Sequence, residues 1–268
     1  MGTVQPNAEK ELQETSLDRS TSLTSLLDEC VRARTELLSG APGLIVEKKG
    51  GSTMAISGEP MCWGNWLFIT SNIASTSIVD AFVQKVTQRG VPSTIVCKKE
   101  LSFQIQPTVE GAGYIRTADL ALMTLEAKSD FPQGKGCRIR KLTDASMNDA
   151  LAEIIGQATI LPKEAVKRLI DPVILAAKNI EVFVALRDGL PVATVTTAIQ
   201  DTTVGIWRMV TAPEYQRQGI GQAFLAQIIN LYRQRNLHRF YLVANSIGRR
   251  LYTKLGFVSI ADLAHWVL

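Results

Sequence analysis

The stretch Met209 to Gln222, Met-Val-Thr-Ala-Pro-Glu-Tyr-Gln-Arg-Gln-Gly-Ile-Gly-Gln, constrains the fold more than any other part of the chain. An apolar run, Val204 to Val210, precedes it, and an amphipathic run, Ala223 to Tyr232, follows it. The pattern predicts a strand, a tight glycine-bearing turn and a helix. Gly219 and Gly221 stand where the turn becomes the helix. Without a Cβ, the backbone there can come close to a ligand. The first N–H groups of a helix have no internal partners, and the helix dipole is positive at that end. With Arg217 alongside, these features make an anion site suited to a pyrophosphate. P-loops and dinucleotide folds use the same physics. Here no Gly-Lys-Ser/Thr opens the helix, and the turn lies late in the chain, not at the first βα turn of a doubly wound sheet.

Two motifs carry a resemblance. Gln216-Arg217-Gln218-Gly219-Ile220-Gly221, preceded by Pro213-Glu214-Tyr215, resembles motif A of the GNAT acetyltransferase superfamily, Gln/Arg-x-x-Gly-x-Gly/Ala. Asn245 to Phe257 resembles motif B, Asn-x-x-Ala-x-x-Leu-Tyr-x-x-x-Gly-Phe, with Gly248 where alanine is usual. Glycine there costs a little helix stability and need not affect function. The resemblance covers roughly Cys137 to Leu268. It implies an α/β (α+β) fold with a mixed, mostly antiparallel sheet flanked by helices. It also implies an N-acetyltransferase that takes acetyl-CoA as co-substrate and a primary amine as acceptor.

The same resemblance assigns roles. A strand that splays from its neighbour leaves backbone groups unpaired, and the pantetheine amides can pair with them. Those groups belong to Met209, Val210 and Thr211. The pyrophosphate sits on the motif A segment, Gln216, Arg217, Gln218, Gly219, Ile220, Gly221 and Gln222. Asn245 bonds the pantetheine arm; it also fits a helix N-cap before Ile247. Tyr252 protonates the departing thiolate; between Leu251 and Leu255 it also fits a core position. A backbone N–H near Met209 serves the oxyanion. No general base stands out. The strands Val204 to Thr211 and Arg239 to Val243 carry no carboxylate, while Glu181, Asp201 and Glu214 read as solvated loop or strand-end residues. A non-catalytic acyl-CoA-binding module and a transferase of a longer acyl group are the alternatives.

Composition sets the outer bounds. With 268 residues, 46% of them hydrophobic, the chain has material for one large domain or two small ones. A net charge of +4, spread along the chain without a basic-aromatic block, suits an anionic cofactor and does not argue for nucleic acid. Cys30, Cys62, Cys97 and Cys137 are far apart and form no metal-ligand spacing, so they read as reduced thiols of a cytoplasmic protein. No apolar run reaches membrane-spanning length, and the polar N-terminus does not resemble a signal peptide. Pro6 departs from the myristoylation pattern.

The rest of the chain reads as a polar tail (1–20), a first lobe (21–129), a linker (130–136) and the motif-bearing lobe (137–268). The first lobe begins with a helix over Ser22 to Leu38. Strands follow over Leu44 to Glu47, Met54 to Ser57 and Asn65 to Thr70, with Gly50-Gly51 as a hairpin turn. A helix over Ser75 to Gln88 and strands over Ser93 to Cys97 and Ala121 to Leu125 complete it. Lys85 to Val96 parallels Leu231 to Leu242, and Gly113-Tyr114 parallels Gly256-Phe257. The first lobe is therefore read as a degenerate copy of the second, without Gly-x-Gly and without an Asn…Tyr helix after Cys97; an unrelated α/β lobe is the alternative. In the second lobe, Pro162 to Lys178 reads as a helix with a kink or break at Pro172. Asp188-Gly189 reads as a hairpin turn. Trp207 and Arg208 lie under the reaction centre, where one of them could face the acceptor; their ordinary roles would be core and surface respectively. Asp149, Glu153, Glu164 and Asp171 could attract a cationic amine, though a solvated helix face is the commoner role.

Overall fold

Apolar residues at helical spacing build the first helix, α1, over residues 23–36, with Leu27, Cys30 and Val31 buried. The computed structural model describes residues 23–132, 137–159, 163–168 and 172–268; the polar tail and much of the 130–136 linker lie outside them. After α1 come β1 (Ile45–Lys49), β2 (Ser52–Ile56) and β3 (Asn65–Ile69), then α2 (Thr76–Arg89), β4 (Thr94–Lys98), α3 (Ser102–Gly111), β5 (Ile115–Arg116) and β6 (Leu120–Glu126). The second half holds β7 (Arg138–Lys141), α4 (Asn148–Thr159), α5 (Lys163–Arg168), α6 (Pro172–Ala176), β8 (Ile180–Arg187), β9 (Leu190–Gln200) and β10 (Thr203–Thr211). It ends with α7 (Ile220–Arg233), β11 (Arg239–Ala244), α8 (Ser246–Lys254) and β12 (Val258–Val267).

The glycine turns form as expected. Gly50 and Gly51 both take positive φ, as do Asp188 and Gly189, and each pair closes a two-residue hairpin. One feature departs from the sequence-based expectation. Helix α3 has no clear mark in the sequence, because Pro107 interrupts its pattern and its apolar stripe is thin; Ile105 and Val109 nevertheless bury one face. Over Pro162 to Lys178, where a helix kinked or broken at Pro172 is expected, the described residues are helical at α5 and again at α6, which Pro172 opens; residues 169–171 lie outside the described residues.

All the described strands join one sheet, in the order β1-β2-β3-β4-β12-β6-β11-β10-β9-β8-β7, with β5 paired to β12. The arrangement repeats about its centre. Strands β3 and β4 are parallel and linked through α2, and β10 and β11 are parallel and linked through α7. Between them lie β12 and β6, antiparallel to each other. These central strands are exchanged. β12, the last strand of the second half, pairs with β4 of the first, and β6, the last of the first half, pairs with β11 of the second. Packing follows the exchange. Trp266 of β12 sits in the core under α2 with Phe82 and Ile95, while Met123 of β6 sits in the core under α7 with Phe224 and Phe240. On the opposite face α1 lies across the join, where Leu27 and Cys30 meet Trp66, Leu122, Tyr241 and Leu263. Leu122 and Leu263 are fully buried there, each contributing about 1.5–3 kcal/mol of apolar burial. Gly113 and Gly256 each turn the chain toward the exchanged strands at φ near +90° (+89° and +87°).

Candidate active site

The parallel pair β10 and β11 parts midway. Pairing runs from Thr203↔Arg239 to Ile206↔Leu242 and stops, although β10 continues to Thr211 and β11 to Ala244. On its other edge β10 stays with β9 as far as Thr211↔Ala193, through a bulge between Trp207 and Val210. The segment 207–211 therefore turns a backbone edge toward β11 that no described strand fills. In the first half β3 ends at Ile69, still paired to Cys97, so the same place in the repeat has no gap.

Arg208 sits in the bulge at φ +49°. A left-handed conformation costs an arginine about 1 kcal/mol, which the surrounding sheet must over-determine. The bulge breaks the strand alternation, so Trp207 and Arg208 both line one cavity of about 450 Å³. The surface role considered for Arg208 is thereby corrected. The residue is half-buried, its Nη2 donates to the Leu37 carbonyl at 3.0 Å, and burial pushes its pKa down to about 10.

At the far end of β10, the turn is organised by its own side chains. Gln216 Nε2 donates to the Thr211 carbonyl at 3.0 Å, and Gln218 Nε2 donates to the Glu214 carbonyl at 2.9 Å. These two glutamines shape the loop, and Gln218 also accepts from Arg187 at 2.9 Å. Arg217 and Gly219 take positive φ, +62° and +80°. Helix α7 then begins without a side-chain cap, and its first turn follows the exposed Arg217. A Cβ on Gly221 would lie 3.2 Å from Thr211 Oγ1 and 3.3 Å from Leu251 Cδ1, so glycine lets α7 approach both β10 and α8.

Asn245 caps α8, its Oδ1 accepting from the Gly248 N–H at 2.8 Å. It also lines the cavity beside the parted strands, with Val243. Tyr252 packs edge-on against Phe257, ring centroids 5.9 Å apart, and joins the core under α7 as a partly exposed member. Burial raises its phenol to about 12, so it carries its proton at neutral pH.

The acids considered at the sequence level go elsewhere. Asp149 pairs with Lys167 at 2.6 Å, Glu164 with Lys167 at 3.0 Å and Glu153 with Lys163 at 3.1 Å, on exposed helix faces. Asp171 lies outside the described residues. Glu181 is not the solvated strand end expected; it is 7% exposed. Burial pushes its pKa up, but hydrogen bonds from Lys141, Tyr232 and Arg235, each at 2.6 Å, outweigh burial and hold it below the usual carboxylate range. It serves as a buried clamp between β8 and α7.

The sequence marks none of the individual residues that the first half and the exchanged strand bring to the site. Arg34 and Leu37 of α1, Trp63, Thr117 and the β12 residue His265 line the same cavity as Trp207, Arg208 and Asn245. His265 Nδ1 lies 2.7 Å from Thr117 Oγ1, and burial, with Arg34 and Arg116 nearby, pushes its pKa down to about 4. No local motif marks these residues, because only the strand exchange and α1 bring them there.

Residues 149–257 match the acetyltransferase (GNAT) family model. Among solved structures the chain is similar to a GCN5-related N-acetyltransferase from Kribbella flavida, at 16% identity and a TM-score of 0.64, over 91% of this chain and 95% of that one. It is also similar to a functionally unknown conserved protein from Staphylococcus epidermidis, at 16% identity and a TM-score of 0.62, over 84% of this chain and 94% of that one. A tandem GNAT protein from the clavulanic acid biosynthesis pathway aligns at 10% identity with a TM-score of 0.52, over 87% of each chain. No curated protein matches the chain.

Proposed function

We propose that this protein, which belongs to the acetyltransferase (GNAT) family through residues 149–257, is a transferase that moves an acetyl group from acetyl-CoA to a primary amine. The observation that carries the reading is the parting of β10 from β11 after Ile206↔Leu242, with the uncapped start of α7 at the end of the same strand. The residues fit the co-substrate. The open backbone edge at Met209, Val210 and Thr211 matches an arm bearing amides, although the Thr211 carbonyl is already taken by Gln216. The amides of 217–222, at a helix start with Arg217 beside them, match a pyrophosphate. Asn245, already fixed by its cap, keeps its side-chain NH₂ for the arm.

Bound there, acetyl-CoA supplies the acetyl group as an activated thioester. The chain's own groups do the rest. The Met209 N–H, on the open edge, is the donor for oxygen charge. Tyr252 holds a proton for the departing sulfur. The acceptor enters the cavity lined by Trp207 and Arg208. No carboxylate lines that cavity among the described residues, and His265 is too weakly basic to deprotonate an ammonium. The amine therefore enters in its neutral, nucleophilic form, and the proton that its nitrogen sheds on acylation replaces the one Tyr252 gives to the sulfur.

Calorimetric titration with acetyl-CoA tests the reading, on wild type and on Gly219→Glu. A Cβ at Gly219 meets nothing within 4 Å, so the carboxylate fits sterically but stands at the anion end of α7. Wild type should take up one equivalent, and the variant should bind about tenfold more weakly or worse. An absence of binding by wild type would sink the proposal.

A further inference from the structure

The cavity of about 450 Å³ beside the parted strands has the size of a small-molecule site, and the first half supplies much of its wall. That wall is held fast. Helix α1 is fastened at two points. Arg34 stacks 5.0 Å over the Trp66 ring and donates to Thr94 Oγ1 at 3.3 Å, and Arg208 of β10 donates to the Leu37 carbonyl just past the helix end at 3.0 Å. Leu37 and Leu38 are thereby fixed against the cavity. The loop between β2 and β3, which carries Trp63, is tied from both sides. At its base the fully buried Asn65 accepts from the Gly58 N–H at 3.0 Å, and its NH₂ group is shared among the Glu59, Met61 and Pro92 carbonyls at 2.8, 3.1 and 2.9 Å. Glu59, 9% exposed, takes two prongs from Arg168 of α5, Nε at 2.7 Å and Nη2 at 2.6 Å, which clasps the loop to the second half. Trp63 nonetheless stays 36% exposed on this rigid loop, at the cavity. Trp207 lines the same cavity, its ring set edge-on to the buried Tyr241 with centroids 6.2 Å apart. Among the described residues no Asp or Glu lines the cavity, so nothing there pairs with a second ammonium.

We propose that the acceptor is a primary amine carried on an aromatic or bulky apolar body without a second positive charge, and that Trp63 is the residue of the first half that selects it. The two indoles border the body, which is the contact a preorganised flat apolar wall favours. The inference rests on the acetyl-transfer reading above and deepens it: the half without the cofactor turn supplies acceptor specificity. The step is unchanged. The amine nitrogen bonds to the acetyl carbonyl carbon and loses one proton, the C–S bond breaks with its electron pair on sulfur, and the sulfur takes one proton from Tyr252.

The test uses the full chain with saturating acetyl-CoA and follows thiol release with phenethylamine and tryptamine, against ethylamine, putrescine and Nα-acetyl-lysine amide. The ring-bearing amines should exceed the other three about 100-fold in kcat/KM. Trp63→Ala should lower kcat/KM for the ring-bearing amines about tenfold, chiefly through KM, and leave ethylamine, which has no ring to rest on the indole, as it is in wild type. A merely structural role would lower all of them together. Trp63→Phe, which keeps a ring, should restore most of the loss. As a readout besides turnover, phenethylamine and putrescine are titrated calorimetrically into CoA-saturated protein, where the first should bind and the second should not. If acetyl-CoA binds but putrescine or the lysine amide matches or exceeds the ring-bearing amines, the inference falls while the acetyl-transfer reading stands. It falls in the same way if none of the ring-bearing amines binds or reacts, or if Trp63→Ala treats every amine as wild type does. If acetyl-CoA itself does not bind to wild type, the underlying reading has failed first and takes the inference with it. Acetyl-CoA binding also reports whether each variant has folded; should Trp63→Ala fail there, the wild-type panel and Trp63→Phe still decide.

Discussion

The ring of Tyr252 rests on the bare backbone of Gly248, so that a Cβ placed at 248 would lie 2.9 Å from Tyr252 Cε2. The one departure from motif B thus has a spatial reason, and Gly248 acts as a positioning residue for the proposed acid. Gly248→Ala should gain up to about 1 kcal/mol in intrinsic helix preference, offset by displacement of the ring. The expected outcome is a melting temperature within a few degrees of wild type and a kcat reduced about tenfold. Thermal melts and steady-state kinetics on the same preparation check this; an unchanged kcat would show that the ring does not depend on residue 248.

Tyr252 is proposed to act in its protonated form, and burial raises its phenol to about 12. Ionisation of this group should therefore leave no alkaline limb in kcat below about pH 11. Tyr252→Phe should lower kcat about 100-fold with little change in acetyl-CoA affinity. A pH–rate profile of both proteins, with a separate binding titration, distinguishes loss of the proton donor from loss of the binding site.

Glu181 links pH to stability. Its folded pKa lies below the ordinary glutamate value of 4.5, so the folded state binds fewer protons than the unfolded state in the interval between the two. Its contribution is complete above about pH 4.5 and is lost as pH falls through the lowered folded value. Glu181→Gln should cost about 2 kcal/mol near neutrality, since Lys141 and Arg235 retain access to water while the Tyr232 hydroxyl loses its charged acceptor. It should also flatten the acid side of the stability curve. Urea melts at several pH values check both effects.

The exchange of β6 and β12 predicts that the halves do not stand alone. Residues 137–268 by themselves leave β11 without β6 and give β12 no β4 to pair with. An open edge of this kind invites aggregation. This fragment should be insoluble or unfolded, and co-expression with residues 1–136 should recover a soluble complex. A cooperative thermal melt from 137–268 alone would refute the dependence.

Much of the fold is legible in the sequence because it is local. The turn at Gly219, the hairpins at Gly50-Gly51 and Asp188-Gly189, and the cap at Asn245 each depend on a few neighbouring residues whose backbone demands are specific. What stays hidden depends on partners far along the chain. The residues of β6 and β12 read as strands but carry no mark of which strand they join, because either neighbour would bury the same apolar faces. Arg208 reads as a surface residue only if strand alternation continues through what is in fact a bulge. Glu181 reads as solvated because its three partners come from β7 and from within and just beyond α7. Helix α3 escapes for the opposite reason, a weak local pattern rescued by burial of Ile105 and Val109.

The position of β12 sets the order in which the sheet can be completed. Thr94 to Lys98 wait for a partner that is translated long after them, so the first half leaves the ribosome with an open sheet. Amino-terminal segments of other multidomain chains can finish early; this one cannot. Its closing contacts join residues from distant parts of the sequence, the kind of pairing that folds slowly. The cavity wall contributed by His265 is consequently among the last parts of the molecule to form, and a chain that stops short of β12 lacks that wall.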